Sequence, residues 1–242
     1  MMSLQEIEKI AKKKQTSVKN IARDYLQSLF LFGFYQNPEA VDFLFKGGTA
    51  LHLVYQSPRY SEDLDFSAKA FNCRVFEKLL EQTLAFLEKN GLKPELLEST
   101  PTTGGCLAIF ESDVAKQKIS IKIEVSLREP KRLEGEAVLV RTDFLPPFDI
   151  LVLEKDKMVK SKIAALLTRK EPRDFYDLYF ILRSDLRDSL NLSENERKQI
   201  LREVNLLDPG EIYQDLKEFL PQSRSLVIKD LPGALERELK EK

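Results

Sequence analysis

Between residues 118 and 127 the chain alternates without a slip. Ile119, Ile121, Ile123, Val125 and Leu127 fall on one side, and Ser120, Lys122, Glu124 and Ser126 on the other. A period of two belongs to an extended strand, whose successive side chains leave opposite faces. This segment therefore demands a sheet with one face against a core and the other polar. Residues 107–111 read as a second strand, joined to it as a hairpin through residues 112–117.

The neighbouring patterns place helices around that sheet. Residues 3–31 carry apolar positions near a 3.6 period and read as one helix. Residues 41–45 read as a short strand running into Lys46, Gly47, Gly48 and Thr49, after which 50–55 read as helix. A polar loop, 56–62, leads to a further strand at 63–66, and 71–90 form an amphipathic helix closed by Gly91. Pro130 and the Leu145-Pro-Pro-Phe148 stretch punctuate the chain, and a boundary is expected near there. Beyond it the pattern is helical: 154–169, a helix from Pro172, 194–206 and 210–220. The expected class is α+β, with a core in residues 1–148 and a helical region in 149–242.

Bulk properties narrow the function. At 242 residues the chain can bury a core without staples. A net charge of −1 argues against a uniformly basic nucleic-acid coat, though not against a local basic groove. Cys73 and Cys106 are too few for a disulfide framework or a zinc ligand set, and are expected as buried or idle thiols. The start lacks the apolar stretch of a signal peptide, and the longest apolar run, 28–35, is too short to span a bilayer. A cytoplasmic protein with no membrane association is expected.

The chemistry concentrates in a few positions. Asp63 and Asp65, two apart in a strand, leave the same face. Paired carboxylates repel unless a cation sits between them, and magnesium is commonly held by one or two carboxylates plus substrate phosphates. Gly47 and Gly48, between a strand and a helix, let backbone amides approach an anion, and Thr49 adds a hydroxyl. Glu124, on the polar face of its strand, is a candidate third carboxylate, able to reach the metals and act as base, or else a solvated strand glutamate. Lys155, Lys162 and Arg169 recur every seven residues along one helix. Seven basic residues lie between 155 and 173 (Lys155, Lys157, Lys160, Lys162, Arg169, Lys170, Arg173), enough for a local phosphate-binding surface. His52 is read as a packing or capping residue.

Lys46-Gly-Gly-Thr-Ala-Leu51, followed by Arg59-x-Ser61-x-Asp63-Leu-Asp65-Phe66, resembles the signature of the AbiEii-type toxin nucleotidyltransferases, relatives of the polymerase-beta-like superfamily. Lys162-Ile-Ala-Ala-Leu-Leu-Thr-Arg169 and Arg173-Asp174-Phe-Tyr-Asp177-Leu178 resemble the later motifs of that family. The resemblance implies a polymerase-beta-like fold: a small mixed sheet with flanking helices, and a helical C-terminal region that completes the active site. It implies transfer of a nucleoside monophosphate from a triphosphate (NTP) to an acceptor hydroxyl, with Mg2+ or Mn2+. Lys46, Gly47, Gly48 and Thr49 would bind the triphosphate. Asp63, Asp65 and Glu124 would hold metal, and Lys162 would touch the phosphates. Asp174 or Asp177 would act near the acceptor or order the site, and Arg59 and Ser61 would brace the loop before the acids. The acceptor implied is RNA, at the 3′ end of tRNA, in a toxin–antitoxin or abortive-infection system with an antitoxin encoded nearby. A small-molecule or protein hydroxyl as acceptor, or a non-catalytic binding domain, are the alternatives. Two features depart from the pattern: the third carboxylate is Glu where Asp is commoner, and the chain is short beyond Leu182.

Overall fold

The computed structural model describes residues 1–68, 73–127 and 134–240. The chain divides into two compact units. The first comprises Met1–Gln56 and Tyr60–Leu153, the second Ser57–Arg59 and Glu154–Lys242.

The first unit is built on a seven-stranded mixed sheet. Its strands are β1 (Phe43–Lys46), β2 (Leu64–Ala68), β3 (Glu95–Thr102), β4 (Gly105–Val114), β5 (Gln117–Ser126), β6 (Gly135–Val140) and β7 (Phe148–Leu153). They lie in the order β3-β4-β5-β2-β1-β7-β6, with β2/β5 and β1/β7 parallel and the other pairs antiparallel. The alternating segment is β5, as its period demands. Ile119, Ile121, Ile123 and Val125 are no more than 3% exposed. Its hairpin with β4 is tighter than expected: the turn is Ala115–Lys116, both at positive φ, and β4 extends to Val114. Such two-residue turns match the twist of the flanking strands.

Helices α1 (Leu4–Lys14), α2 (Val18–Phe34), α3 (Gly47–Leu53) and α4 (Cys73–Lys89) complete this unit. The single helix expected over 3–31 is two. Gln15 turns left-handed at φ 54°, and the Ser17 hydroxyl caps α2 by accepting from the Asn20 amide at 3.1 Å. A serine N-cap satisfies an orphan amide that a continuous helix would not have. The greasy sheet face packs against α2 and α4 through stacked and tilted aromatic pairs, Phe30–Phe110, Phe34–Phe66 and Phe43–Phe76. Truncating one of these buried rings costs about 3–5 kcal/mol. Gly91 ends α4 as expected, while the first two residues of the helix expected over 71–90, and Pro130, lie outside the described residues.

The two cysteines correct an expectation. Cys73, the first residue of α4, and Cys106, on β4, are joined by a disulfide. Sequence offered no sign of this, because the two residues are brought together only when α4 packs along β4.

The second unit holds α5 (Lys155–Arg169), α6 (Pro172–Leu182), α7 (Glu194–Val204), α8 (Pro209–Leu216), α9 (Ser225–Lys229) and α10 (Leu231–Lys240). Pro172 opens α6 at the first helical position, where a missing amide hydrogen costs nothing. Val159, Ile163 and Leu166 of α5, and Phe175, Leu178 and Leu182 of α6, are buried. No helix among the described residues is long and apolar enough to cross a membrane.

Candidate functional site

The glycine turn and the acid pair meet in the first unit. Lys46, the last residue of β1, pairs in register with Asp65 of β2. Gly47 follows at φ +84°, a conformation L side chains rarely adopt. A Cβ added there would stand 2.0 Å from Asp65 Oδ2, so only glycine allows the turn to close on this carboxylate. Gly48 and Thr49 are buried in the first turn of α3.

Asp63 precedes β2 and Asp65 lies within it, on the face opposite Leu64 and Phe66, which are fully buried. The segment leading to Asp63 is fixed from two sides. Thr49 Oγ1 donates to the Asp63 carbonyl at 2.5 Å. Gln27 Nε2, on α2, donates to the carbonyls of Ser61 and Glu62, both at 3.0 Å. Arg23, one turn earlier on α2, pairs with Glu62 at 2.7 Å. Gln27 and Arg23 are 2% and 5% exposed. The sequence signal that marks them is that Asn20, Arg23, Asp24 and Gln27 form a polar stripe at helical spacing within an apolar helix. Buried polar groups keep such places when they are hydrogen-bonded. His52 packs against the Tyr60 ring at 4.5 Å, with Nε2 3.5 Å from Asp24 Oδ2.

Glu124 lies on β5 opposite Asp65 in the parallel register, so the two side chains share a face. Its carboxylate is ion-paired with Lys122, which sequence showed only as part of the alternation. The hydrogen bond with Glu124, and the charges of Glu124, Asp63 and Asp65, raise the Lys122 ammonium above its usual range despite partial burial. Asp63 and Asp65 supply the hard oxygen donors that suit magnesium alongside substrate phosphates. Among the described residues no group of three His, Cys, Asp or Glu side chains stands together as a ready ligand set. Beside Glu124 opens a cavity of about 290 Å³, lined in part by Thr102, Leu107 and Ser126. The segment before Gly105, unread in the sequence, is thus a strand whose end borders this cavity.

In the second unit, Asp177 on α6 is buried and held by two cations. Arg59 grips it with Nε and Nη2 at 2.8 and 2.9 Å, and Lys162 Nζ reaches Oδ2 at 2.8 Å. Burial pushes the carboxyl up, but the charges of Arg59 and Lys162 and their hydrogen bonds outweigh it and bring it down to about 2. Asp174 closes the N-terminus of α6: its carboxylate accepts from the Glu171 amide at 3.4 Å and from Arg169 at 2.6 Å. Arg173 pairs with Glu171, not with Asp177. Of the seven basic residues between 155 and 173, Lys157, Lys162, Arg169, Lys170 and Arg173 are all in ion pairs within this unit. The basic surface is therefore largely neutralised by the unit's own carboxylates.

A family model described as Nucleotidyl transferase AbiEii toxin, Type IV TA system, matches residues 29–234. Among solved structures, JHP933 from Helicobacter pylori gives a TM-score of 0.65 at 19% identity, over 93% of this chain and 92% of that one. MenT4, a nucleotidyltransferase toxin from Mycobacterium tuberculosis, also gives 0.65, at 16% identity, over 99% of this chain and 89% of that one. At these identities the likeness is one of fold. No curated protein sequence matches the chain.

Proposed function

The chain belongs to the AbiEii nucleotidyl transferase toxin family of type IV toxin–antitoxin systems, and from that premise we propose that its first unit transfers a nucleoside monophosphate from an NTP to an RNA hydroxyl, at the 3′ end of tRNA. Family membership implies the triphosphate substrate and an antitoxin partner. The RNA acceptor, the metal and the residue roles below are our own reading.

The observation that carries it is the closure of the Gly47 turn on Asp65, with a Cβ position 2.0 Å from Oδ2. A triphosphate carrying a divalent cation needs a backbone that approaches its phosphates next to oxygens that take its metal, and this juxtaposition offers both. Asp63 and Asp65 are the proposed ligands for Mg2+ or Mn2+, with Glu124 joining them. The cation, when bound, would offset the charge on the transferring and leaving phosphates. Lys46, Gly47 and Gly48 contact the triphosphate. Thr49 serves mainly by holding the acid-bearing segment through its hydroxyl, which donates to the Asp63 carbonyl, and Ser61 through its backbone carbonyl, which accepts from Gln27. Arg59, Asp174 and Asp177 order the second unit, and Lys162 is tested for a phosphate role beyond its pairing with Asp177.

The test scores incorporation of each labelled triphosphate into RNA by wild type, Asp65→Ala and Lys162→Ala. Asp65→Ala is expected to abolish incorporation with the fold intact. Equal incorporation by that variant would end the metal reading. A small-molecule acceptor is the second reading, favoured by the cavity beside Glu124. Label found only in small molecules would replace RNA by this acceptor.

We place the protein in the cytoplasm. A reducing compartment and the Cys73–Cys106 bond pull in opposite directions. Thiol trapping in intact cells decides between them, a fully oxidised pair speaking against the cytoplasm.

A further inference from the structure

Lys122 and Glu124 are two apart on β5 and so leave the same face, and Glu124 lies opposite Asp65 on β2. The Lys122 ammonium is ion-paired with the Glu124 carboxylate. The charges of Asp63 and Asp65 act on the same lysine. The Lys122 and Glu124 side chains are 41% and 49% exposed, so their pair is of the weak, readily exchanged kind. Asp65 and Glu124 on one sheet face, with Asp63 next to them along the chain, are favoured by positive charge nearby, supplied by the chain or by solution.

We infer that Lys122 is a built-in counter-cation of this acidic face, the one that holds Glu124, and that a divalent cation at Asp63 and Asp65 gains Glu124 as a ligand only by displacing Lys122 from it. This rests on the proposed reading of Asp63 and Asp65 as cation ligands. Lys122 is then a positioning residue: it sets whether Glu124 is available. Its consequence is selectivity. The lysine weakens binding of a bare divalent cation. A cation arriving on a triphosphate brings phosphate oxygens as ligands of its own and depends less on Glu124. The site therefore loads with metal-bound nucleotide in preference to metal alone.

The experiment titrates Mn2+ alone, without nucleotide, into wild type, Lys122→Gln, Lys122→Arg, Asp65→Asn and the double variant Lys122→Gln/Glu124→Gln. Free Mn2+ is read by electron paramagnetic resonance, and folding by circular dichroism. Lys122→Gln is expected to bind Mn2+ about ten-fold more tightly than wild type, because a unit positive charge next to the site is gone. Lys122→Arg, which keeps the charge, should stay within about two-fold of wild type. Adding Glu124→Gln should remove the gain. Lys122→Gln binding no tighter than wild type, with Asp65→Asn still abolishing binding, overturns the counter-cation role and leaves the metal reading standing. Asp65→Asn binding as wild type does, or no Mn2+ binding by any variant, overturns both.

Discussion

Each unit carries a cluster of charges, and the two clusters are built on opposite terms. In the first, Asp65 of β2 and Glu124 of β5 share a sheet face with Lys46 and Lys122, with Asp63 just ahead of β2, all at half-exposed or exposed positions. In the second, a single carboxylate, Asp177, is almost fully buried between Arg59 and Lys162. Buried charges persist only when paired, and removing a partner is costly, whereas exposed pairs exchange readily and contribute little to stability. The contrast teaches which charges to regard as chemistry and which as framework, although sequence motifs flag both alike.

The sharpest way to break the contrast is to exchange the outcomes. Asp65→Ala should lower nucleotide incorporation by at least about 10³-fold, roughly 4 kcal/mol in the barrier, when initial rates are compared. Its melting temperature should stay within about 2 °C of wild type, because an acid has left an acidic patch. A folded, fully active variant would remove Asp65 from the chemistry. Asp177→Asn should do the reverse to stability. It strands two buried cations, with an expected loss of about 3–5 kcal/mol by urea unfolding. A change below about 1 kcal/mol would show that the triad is not structural framework.

The first unit has a covalent brace in place of a buried triad. Its disulfide spans a sequence separation of 33. Cys73→Ser/Cys106→Ala is expected to cost about 3 kcal/mol relative to the oxidised protein. If the double variant matches the oxidised wild type, the bond does not brace this unit.

Acid sharpens the comparison further. Asp177 is held down to about 2 in the folded protein, below its ordinary value of 3.8. A depressed carboxylate contributes stability that is fully present above the ordinary value and is lost as pH falls through the folded one. About 2 kcal/mol should therefore disappear between about pH 4 and pH 2. Asp177→Asn should lack that component of the pH dependence, and a difference curve flat across this window would show the pairing absent in solution.

What the sequence disclosed follows the range of the forces involved. The alternation of β5 and the glycine–acid spacing are local, and both survive into the structure. Strands β3, β6 and β7 are not legible in the sequence. In β3, Leu96 and Leu97 are adjacent and exposed, so no alternation marks it. β7 carries the continuous apolar run Ile150-Leu151-Val152-Leu153 directly before a helix, where periodicity cannot separate strand from helix. The break at Gln15 was hidden because the apolar rhythm resumes in phase after Ser17. Lys122, Gln27 and Arg23 acquire meaning only through partners that pairing and packing deliver. The pairing of Asp177 with Arg59, 118 residues apart, is equally out of local reach.

The position of β2 has a consequence for how the protein can fail. It has two strands on one side, β1 and then β7, before the edge strand β6, and β5 and β4 on the other before β3. Its amide hydrogens should be among the last in this unit to exchange with solvent, released by opening of the whole sheet and not by fraying. Asp65, which it carries, and Asp63 just before it cannot be melted away locally. Mild heat, dilute denaturant or clipping of a surface loop should leave them poised, and silencing them short of unfolding calls for something that covers the face or competes for the charges on it.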